Sequence, residues 1–262
     1  MIETMSNKYL LISLVIMLLV VFIPSTVLAA PQFEIPNLNL EIGGGEAQPQ
    51  DLAMSLRILL LLTVLTLAPA ILILATSFTR IIVVLSLLRR ALATQRMPPN
   101  QVLIGLALIL TVYIMAPVWT QVNQEALQPY LNENINEETA FNRAETPMRE
   151  FMFKYTREKD VALFVNLSEM PRPDNQADIP LYVLVPAFVI SELKTAFQIG
   201  FMIYLPFVVI DMIVASTLMS MGMMMLPPVM ISLPFKILLF VLVDGWYLVI
   251  ESLIKTFNSG VI

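Results

Sequence analysis

The chain has no cysteine and no histidine. Without cysteine it forms no disulfide, offers no thiol nucleophile and holds no metal through thiolate. Without histidine it lacks the side chain that titrates near neutral pH and the commonest metal ligand. Ser-His-Asp triads, HExxH zinc sites and haem held by histidine are excluded together. Charge is scarce as well: 13% of the 262 residues are charged, against about 25% in an ordinary soluble domain. What replaces it is apolar, at 58% of residues with a mean hydropathy of +0.80. That is the composition of a multi-pass membrane protein.

The net charge of −5 sits in one place. Residues 119–180 carry eleven acids and six bases, and the rest of the chain carries nine of each. No basic surface suited to nucleic acid is present, so no nucleic-acid partner is expected.

Residues 1–30 have the form of a secretory signal. Lys8 precedes a 15-residue apolar run, Tyr9–Ile23, and Pro24-Ser25 breaks it. Val27-Leu28-Ala29-Ala30 supplies small residues at the spacing of a signal peptidase site. Cleavage after Ala29 or Ala30 is the expectation, with an uncleaved first helix as the alternative. Residues 31–56 are polar and rich in Pro and Gly, with four acids and no base before Arg57. Such a segment cannot bury enough apolar surface to fold alone, and reads as a flexible acidic stretch outside the cytoplasm.

Two hydrophobic blocks follow, 57–118 and 181–256, with the acidic insertion 119–180 between them and a short tail at 257–262. Ile58–Leu88 is nearly all apolar, and as one helix would be about 46 Å long, too long for a hydrocarbon core of about 30 Å. A kink at Pro69 or a projection beyond the bilayer is therefore expected. Arg89, Arg90 and Arg96 place the following loop in the cytoplasm by the positive-inside rule. Val102–Val118 is the second span. The insertion has helical composition at 121–131 and 145–160, and prolines at 171, 173 and 180 mark an extended return. In the second block, Pro186, Pro206, Pro227, Pro228 and Pro234 are expected to cut the chain into pieces. Ile203-Tyr204-Leu205-Pro206-Phe207 is echoed by Ile231-Ser232-Leu233-Pro234-Phe235. An inverted repeat and two similar helix starts, each with Pro in the first turn, are both open readings.

Charges inside apolar blocks are costly and normally face protein or water. Arg80, Glu192, Lys194, Asp211, Lys236, Asp244, Glu251 and Lys255 are the candidates for buried or intersubunit contacts. Glu192 and Lys194 point to different sides of a helix and are expected to meet other partners. Asp244, Glu251 and Lys255, spaced i, i+7 and i+11, fall on one stripe of the last helix, completed by Leu248; Glu251 and Lys255 form an i, i+4 pair. Phe197, Phe201 and Tyr204 form an aromatic stripe, read as packing.

The segment Met219-Ser220-Met221-Gly222-Met223-Met224-Met225-Leu226-Pro227-Pro228 has five Met in seven residues. Gly222 loosens the backbone and Pro227-Pro228 stops any helix. Methionine is flexible and polarizable and adapts to irregular surfaces. A ring of such loops would seal a pore yet yield to a polypeptide; a methionine-rich helix end packed in lipid or core is the other reading. Enzyme readings fare worse. Asp244 lies in Leu242-Val243-Asp244-Gly245, a poor match to the Gly-x-Gly-Asp of intramembrane aspartyl proteases. Gly43-Gly44-Gly45 is followed by no Lys-Ser/Thr and makes no phosphate loop.

Taken in order, the stretches Ser77-Phe78-Thr79-Arg80-Ile81, Leu87-Leu88-Arg89, Pro206 to Asp211, Met219 to Pro228, Leu233-Pro234-Phe235-Lys236 and Val243-Asp244-Gly245-Trp246 resemble the FliP family of flagellar biosynthetic proteins. The similarity covers about residues 50–255. The resemblance implies an all-α membrane-associated fold of kinked helical hairpins with a mostly helical periplasmic insertion, assembling into a helical or ring oligomer. It implies a pore-forming subunit of the flagellar type III export gate, a pentameric homo-oligomer joined by FliQ and FliR. FlhB, FlhA and the assembly factor FliO would be further partners, and unfolded polypeptides the cargo. It places the assembly at the inner membrane in the flagellar basal body, much of it on the periplasmic side. A pore gasket would fall on Met219, Met221, Met223, Met224 and Met225, with Gly222, Pro227 and Pro228 as the loop hinge. No catalysis and no cofactor are implied. Related injectisome subunits resemble the chain too; the signal-like start favours the flagellar branch. In such an assembly the hairpins can be buried between subunits, so span counting overestimates crossings. A solitary small-solute transporter using Asp211 and Asp244, and a scaffold without a lumen, are the alternatives.

Overall fold

The computed structural model describes residues 49–94, 96–171, 173–223 and 225–258. The expected signal, most of the acidic stretch before residue 57, Met224 and residues 259–262 lie outside the described residues. The chain divides after Ala53, and the description concerns the larger unit, which begins at Met54.

Every regular element described is helical. The order is α1 (Pro49–Leu74), α2 (Phe78–Ala91), α3 (Asn100–Val122), a widened turn (Asn123–Leu127) leading into α4 (Gln128–Leu131), α5 (Glu137–Tyr155), α6 (Glu158–Leu167), a single 3₁₀ turn (Gln176–Asp178), α7 (Leu181–Ser220), α8 (Pro228–Leu242) and α9 (Gly245–Asn258). Two helical stretches are long and apolar enough to cross a membrane, Asn100–Leu131 and Leu181–Ser220. The pair α8 and α9, bent by 64°, adds a third if read as one span.

The core forms where α2 lies along α7. Ile81, Val84, Leu85 and Leu88 of α2 are fully buried, at the spacing that puts them on one helix face. Leu184, Ala187, Phe188 and Ala196 of α7 are fully buried too and recur with the same period, and the two helices pack against each other. Arg80 pairs with Glu192 and Leu87 lies over Gly200, so the two helices run parallel in a constant register. In lipid, apolar burial gives little drive for one helix to join another, so association depends on close packing and polar pairing. Gly200 shows the first: a Cβ there would stand 2.2 Å from Leu87 Cδ1. α3 covers α2 with Leu103, Ala107, Leu110 and Met115.

The insertion closes one end of this core. Phe151 and Tyr155 of α5 sit in an aromatic cluster with Phe188 and Phe257, at centroid distances of 5.0 to 6.5 Å. The Arg149 guanidinium of α5 donates to the carbonyls of Gln176 (2.9 Å) and Ile179 (2.6 Å). That ties the extended return to the helix it passes.

Several expectations are corrected. The long first block is not one helix: α1 runs through Pro69, and the block breaks at Ala75–Ser77. The second span does not stop at Val118; its helix continues into the insertion as far as Leu131. Pro186 and Pro206 lie inside an unbroken α7 of 40 residues, and Pro234 lies inside α8. Only Pro227-Pro228 ends and restarts a helix in this block, with Pro228 opening α8. Neither proline of the echoed motif is in a first turn, so that reading falls. A proline removes one backbone donor; a helix fixed on both sides by tertiary contacts tolerates the loss.

The packing generates a contrast that can be measured. Gly200→Val should force α2 away from α7 and lower the thermal midpoint of the full chain in detergent. Gly105→Ala meets nothing within 4 Å and improves helix propensity by about 1 kcal/mol, so the midpoint should hold or rise. Equal effects of the two substitutions would contradict this packing.

Candidate functional site: buried ion pairs and a methionine turn

Arg80 is the second residue after Phe78 at the start of α2, and only 3% of it is exposed. Its partner Glu192, on α7, is fully buried. The guanidinium Nε donates to Glu192 Oε2 at 2.9 Å, and Nη2 donates to Oε1, a two-pronged pair. Nη1 donates to Thr256 Oγ1 of α9 at 3.0 Å. The guanidinium also lies over the Phe257 ring, 3.9 Å from its centroid, and 5.3 Å from that of Tyr155. Tyr155 in turn donates its hydroxyl to the Phe257 carbonyl. One arginine therefore joins α2, α5, α7 and α9. A planar guanidinium can do this because it pairs a carboxylate in plane and stacks on aromatic faces.

A second clasp joins α7 to α8. Lys236 Nζ donates to Asp211 Oδ2 at 2.7 Å, and Ser232 Oγ donates to Oδ1 at 2.5 Å. Ser232 and Lys236 are one turn apart on α8 and both are buried, while the Asp211 side chain keeps 25% of its exposure. Phe207 meets Phe240 at 6.4 Å further along, so α7 and α8 form an antiparallel hairpin.

At the tip of that hairpin lies the methionine segment. Gly222 has φ of +75°, a conformation that glycine adopts without steric cost. Its N–H donates to Met219 O at 3.0 Å, and the Met223 N–H donates to Leu218 O at 3.0 Å. These two bonds are the Schellman end of a helix. The chain then reaches Pro227-Pro228, which starts α8. Met219, Met221, Met223 and Met225 are all exposed, Met225 at 98%.

The remaining charged residues divide. Glu251 and Lys255 pair at 2.8 Å on the exposed side of α9. Asp244 is not on that helix: it holds φ of +52° at the bend between α8 and α9, so the expected three-residue stripe is broken. The bend is tight because a Cβ on Gly245 would lie 2.2 Å from the Phe240 ring. Lys194 is exposed and lines a cavity together with Lys159 at the start of α6.

Arg80, Glu192, Asp211 and Lys236 are thus brought together in pairs, and Lys194, Asp244, Glu251 and Lys255 are not part of either clasp. Thr256, Phe257, Tyr155 and Ser232 complete the clasps and were not among the candidates. Asp160 is a further buried carboxylate, accepting from Ser191 Oγ at 2.6 Å. Their side chains are ordinary packing residues by type, and partners 102 or 176 positions away leave no local signal.

Removing one member of a buried pair leaves the other charge uncompensated, at about 3–5 kcal/mol. Arg80→Met should therefore destabilise the chain by that order, and Arg80→Met combined with Glu192→Met should recover much of the loss. Asp211→Asn should cost less, because the Asp211 side chain is only partly buried. Detergent denaturation of the four proteins checks this; a single Arg80→Met variant as stable as wild type would contradict it.

Comparison with known proteins identifies the family. The FliP family model matches residues 61–253. The flagellar biosynthetic protein FliP of Bacillus subtilis (strain 168) is 63% identical over 211 residues, 80% of this chain and 96% of that protein. The FliP of Pectobacterium carotovorum subsp. carotovorum is 52% identical over 232 residues, 87% of this chain and 90% of that protein. The FliP of Aquifex aeolicus (strain VF5) is 49% identical over 227 residues, 86% of this chain and 93% of that protein. The matched span includes both clasps' charged residues and the whole methionine turn, and on these matches the chain belongs to the FliP family.

Proposed function

We propose that this chain is a pore-forming core subunit of the flagellar type III protein export gate. It passes unfolded flagellar proteins across the inner membrane, and its methionine turn closes the pore at rest. The observation that carries the reading is the turn itself. Four described methionines stand exposed at the tip of a clasped hairpin, in a chain whose family and relatives are flagellar biosynthetic proteins. Large exposed apolar side chains at a helix turn are costly in water, and several copies around an axis would bury them against one another. Flexible thioethers fill such an irregular seal without fixing it in one shape.

The active form is then a homo-oligomer, pentameric as the family resemblance implies, assembled with FliQ and FliR and in contact with FlhB and FlhA. FliO acts in its assembly. Much of the complex stands on the periplasmic side of the inner membrane, with the insertion 119–180 outside the cytoplasm. Gly222, Pro227 and Pro228 set the shape of the gasket. Asp244, which belongs to neither clasp, is the charge offered to neighbouring subunits. The chain has no catalytic role, and the energy for export comes from other parts of the apparatus.

A solitary transporter using Asp211 as an ion ligand fits less well. Both oxygens of that carboxylate are engaged, one by Lys236 and one by Ser232.

Replacing Met223, Met224 and Met225 together by Ala should leave assembly intact and make the membrane leak ions. Conductance of the purified complex in planar bilayers is the direct measurement. An assembled triple variant with wild-type conductance would remove the gasket role.

A further inference from the structure

Between the α5–α6 turn, α7 and the end of α9 lies a cavity of about 460 Å³. Arg157, Lys159 and Lys194 line it together, so two ammonium groups and a guanidinium share one space. Arg80 also reaches this space, but its charge is taken by Glu192. The one carboxylate acting on Lys194 from nearby is Asp160, which is buried and accepts from Ser191. Three cations against one anion leave a local surplus. Cations that share a cavity repel one another, and an anion between them relieves the repulsion.

One side of the same cavity is apolar, beside the polar Thr195, Gln198 and Thr256. Ile199 and Met202 line it, and Phe197 and Phe201 continue the exposed apolar face of α7 beside it. Lys194, Gln198 and Met202 stand one turn apart on that face, so charge gives way to apolar surface along a single line. The cavity also marks the junction between the polar insertion and an apolar helix of membrane-spanning length. Long cationic side chains at such a junction keep their heads at the polar level while their stems follow the apolar surface.

We propose that this cavity binds the phosphate group of an anionic phospholipid, with Lys159 and Lys194 on the phosphate and the acyl chains along Phe197, Phe201 and Met202. Arg157 supports the site from the side: its guanidinium donates to Gln198 Oε1 at 2.7 Å and to Thr195 Oγ1 at 3.3 Å, which fixes it on α7 with its charge toward the cavity. The bound lipid would hold the insertion against α7. The site is independent of the export reading, which stands or falls without it.

Native mass spectrometry of the full-length chain in detergent tests the proposal, with titration by phosphatidylglycerol, phosphatidylcholine and, separately, inorganic phosphate. Phosphatidylglycerol should bind in preference to phosphatidylcholine. The double variant Lys159→Gln with Lys194→Gln should weaken phosphatidylglycerol binding about 30-fold, while Lys159→Arg with Lys194→Arg should keep most of it. Both lysines are exposed, and unchanged helicity by circular dichroism shows that the variants remain folded. Equal phosphatidylglycerol binding by wild type and the Gln variant would overturn the site. Binding of inorganic phosphate with no preference between the two lipids would overturn the lipid and assign the pocket to a free anion.

Discussion

The buried pair of Arg80 and Glu192 is the constraint on which the rest of the structure depends. An isolated charge in an apolar interior is far more costly than any single packing contact. Once Arg80 is placed on α2, only an arrangement that brings Glu192, Thr256 and an aromatic face to it is tolerable. Those partners come from helices 112 and 176 positions away. The pair therefore selects the register of α2 on α7 and the docking of α9, and through Tyr155 it reaches the insertion. Close packing at Gly200 then follows from the same register.

The second clasp serves a different part of the molecule. α7 is about 60 Å long, and beyond Gly200 its described neighbour is mainly α8. Asp211, Ser232 and Lys236 hold that hairpin closed along its length. The methionine turn is consequently a projection on a stiff stem. Its helix end is rigidly specified by Gly222, while its side chains are the most adaptable that a protein has. The proposed seal, opening for a polypeptide and closing against ions, would call for that combination.

Much of this was legible in the sequence. Composition gave the class, the apolar blocks gave the helices, and Pro227-Pro228 marked the one proline stop that the second block contains. The i, i+4 relation of Glu251 and Lys255 was enough to pair them, because both ends of that contact lie on one helix. What was hidden has a common cause. Arg80, Glu192, Asp211 and Lys236 could be named as costly charges, but no local pattern says which meets which. Prolines 186, 206 and 234 read as breaks because propensity is a local rule, and tertiary contacts override it. Asp244 was misplaced for a related reason: a single residue at positive φ moves it off the helix to which its spacing had assigned it.

The central claim is that the clasped hairpin and its methionine turn are one copy's share of a larger pore. The native mass of the detergent-solubilised complex, co-expressed with candidate FliQ and FliR partners, tests it most directly. A large and defined hetero-oligomer containing several copies of this chain is the predicted result. A chain that purifies alone near 29.4 kDa, ignoring those partners, would contradict the account and reduce the methionine turn to local packing.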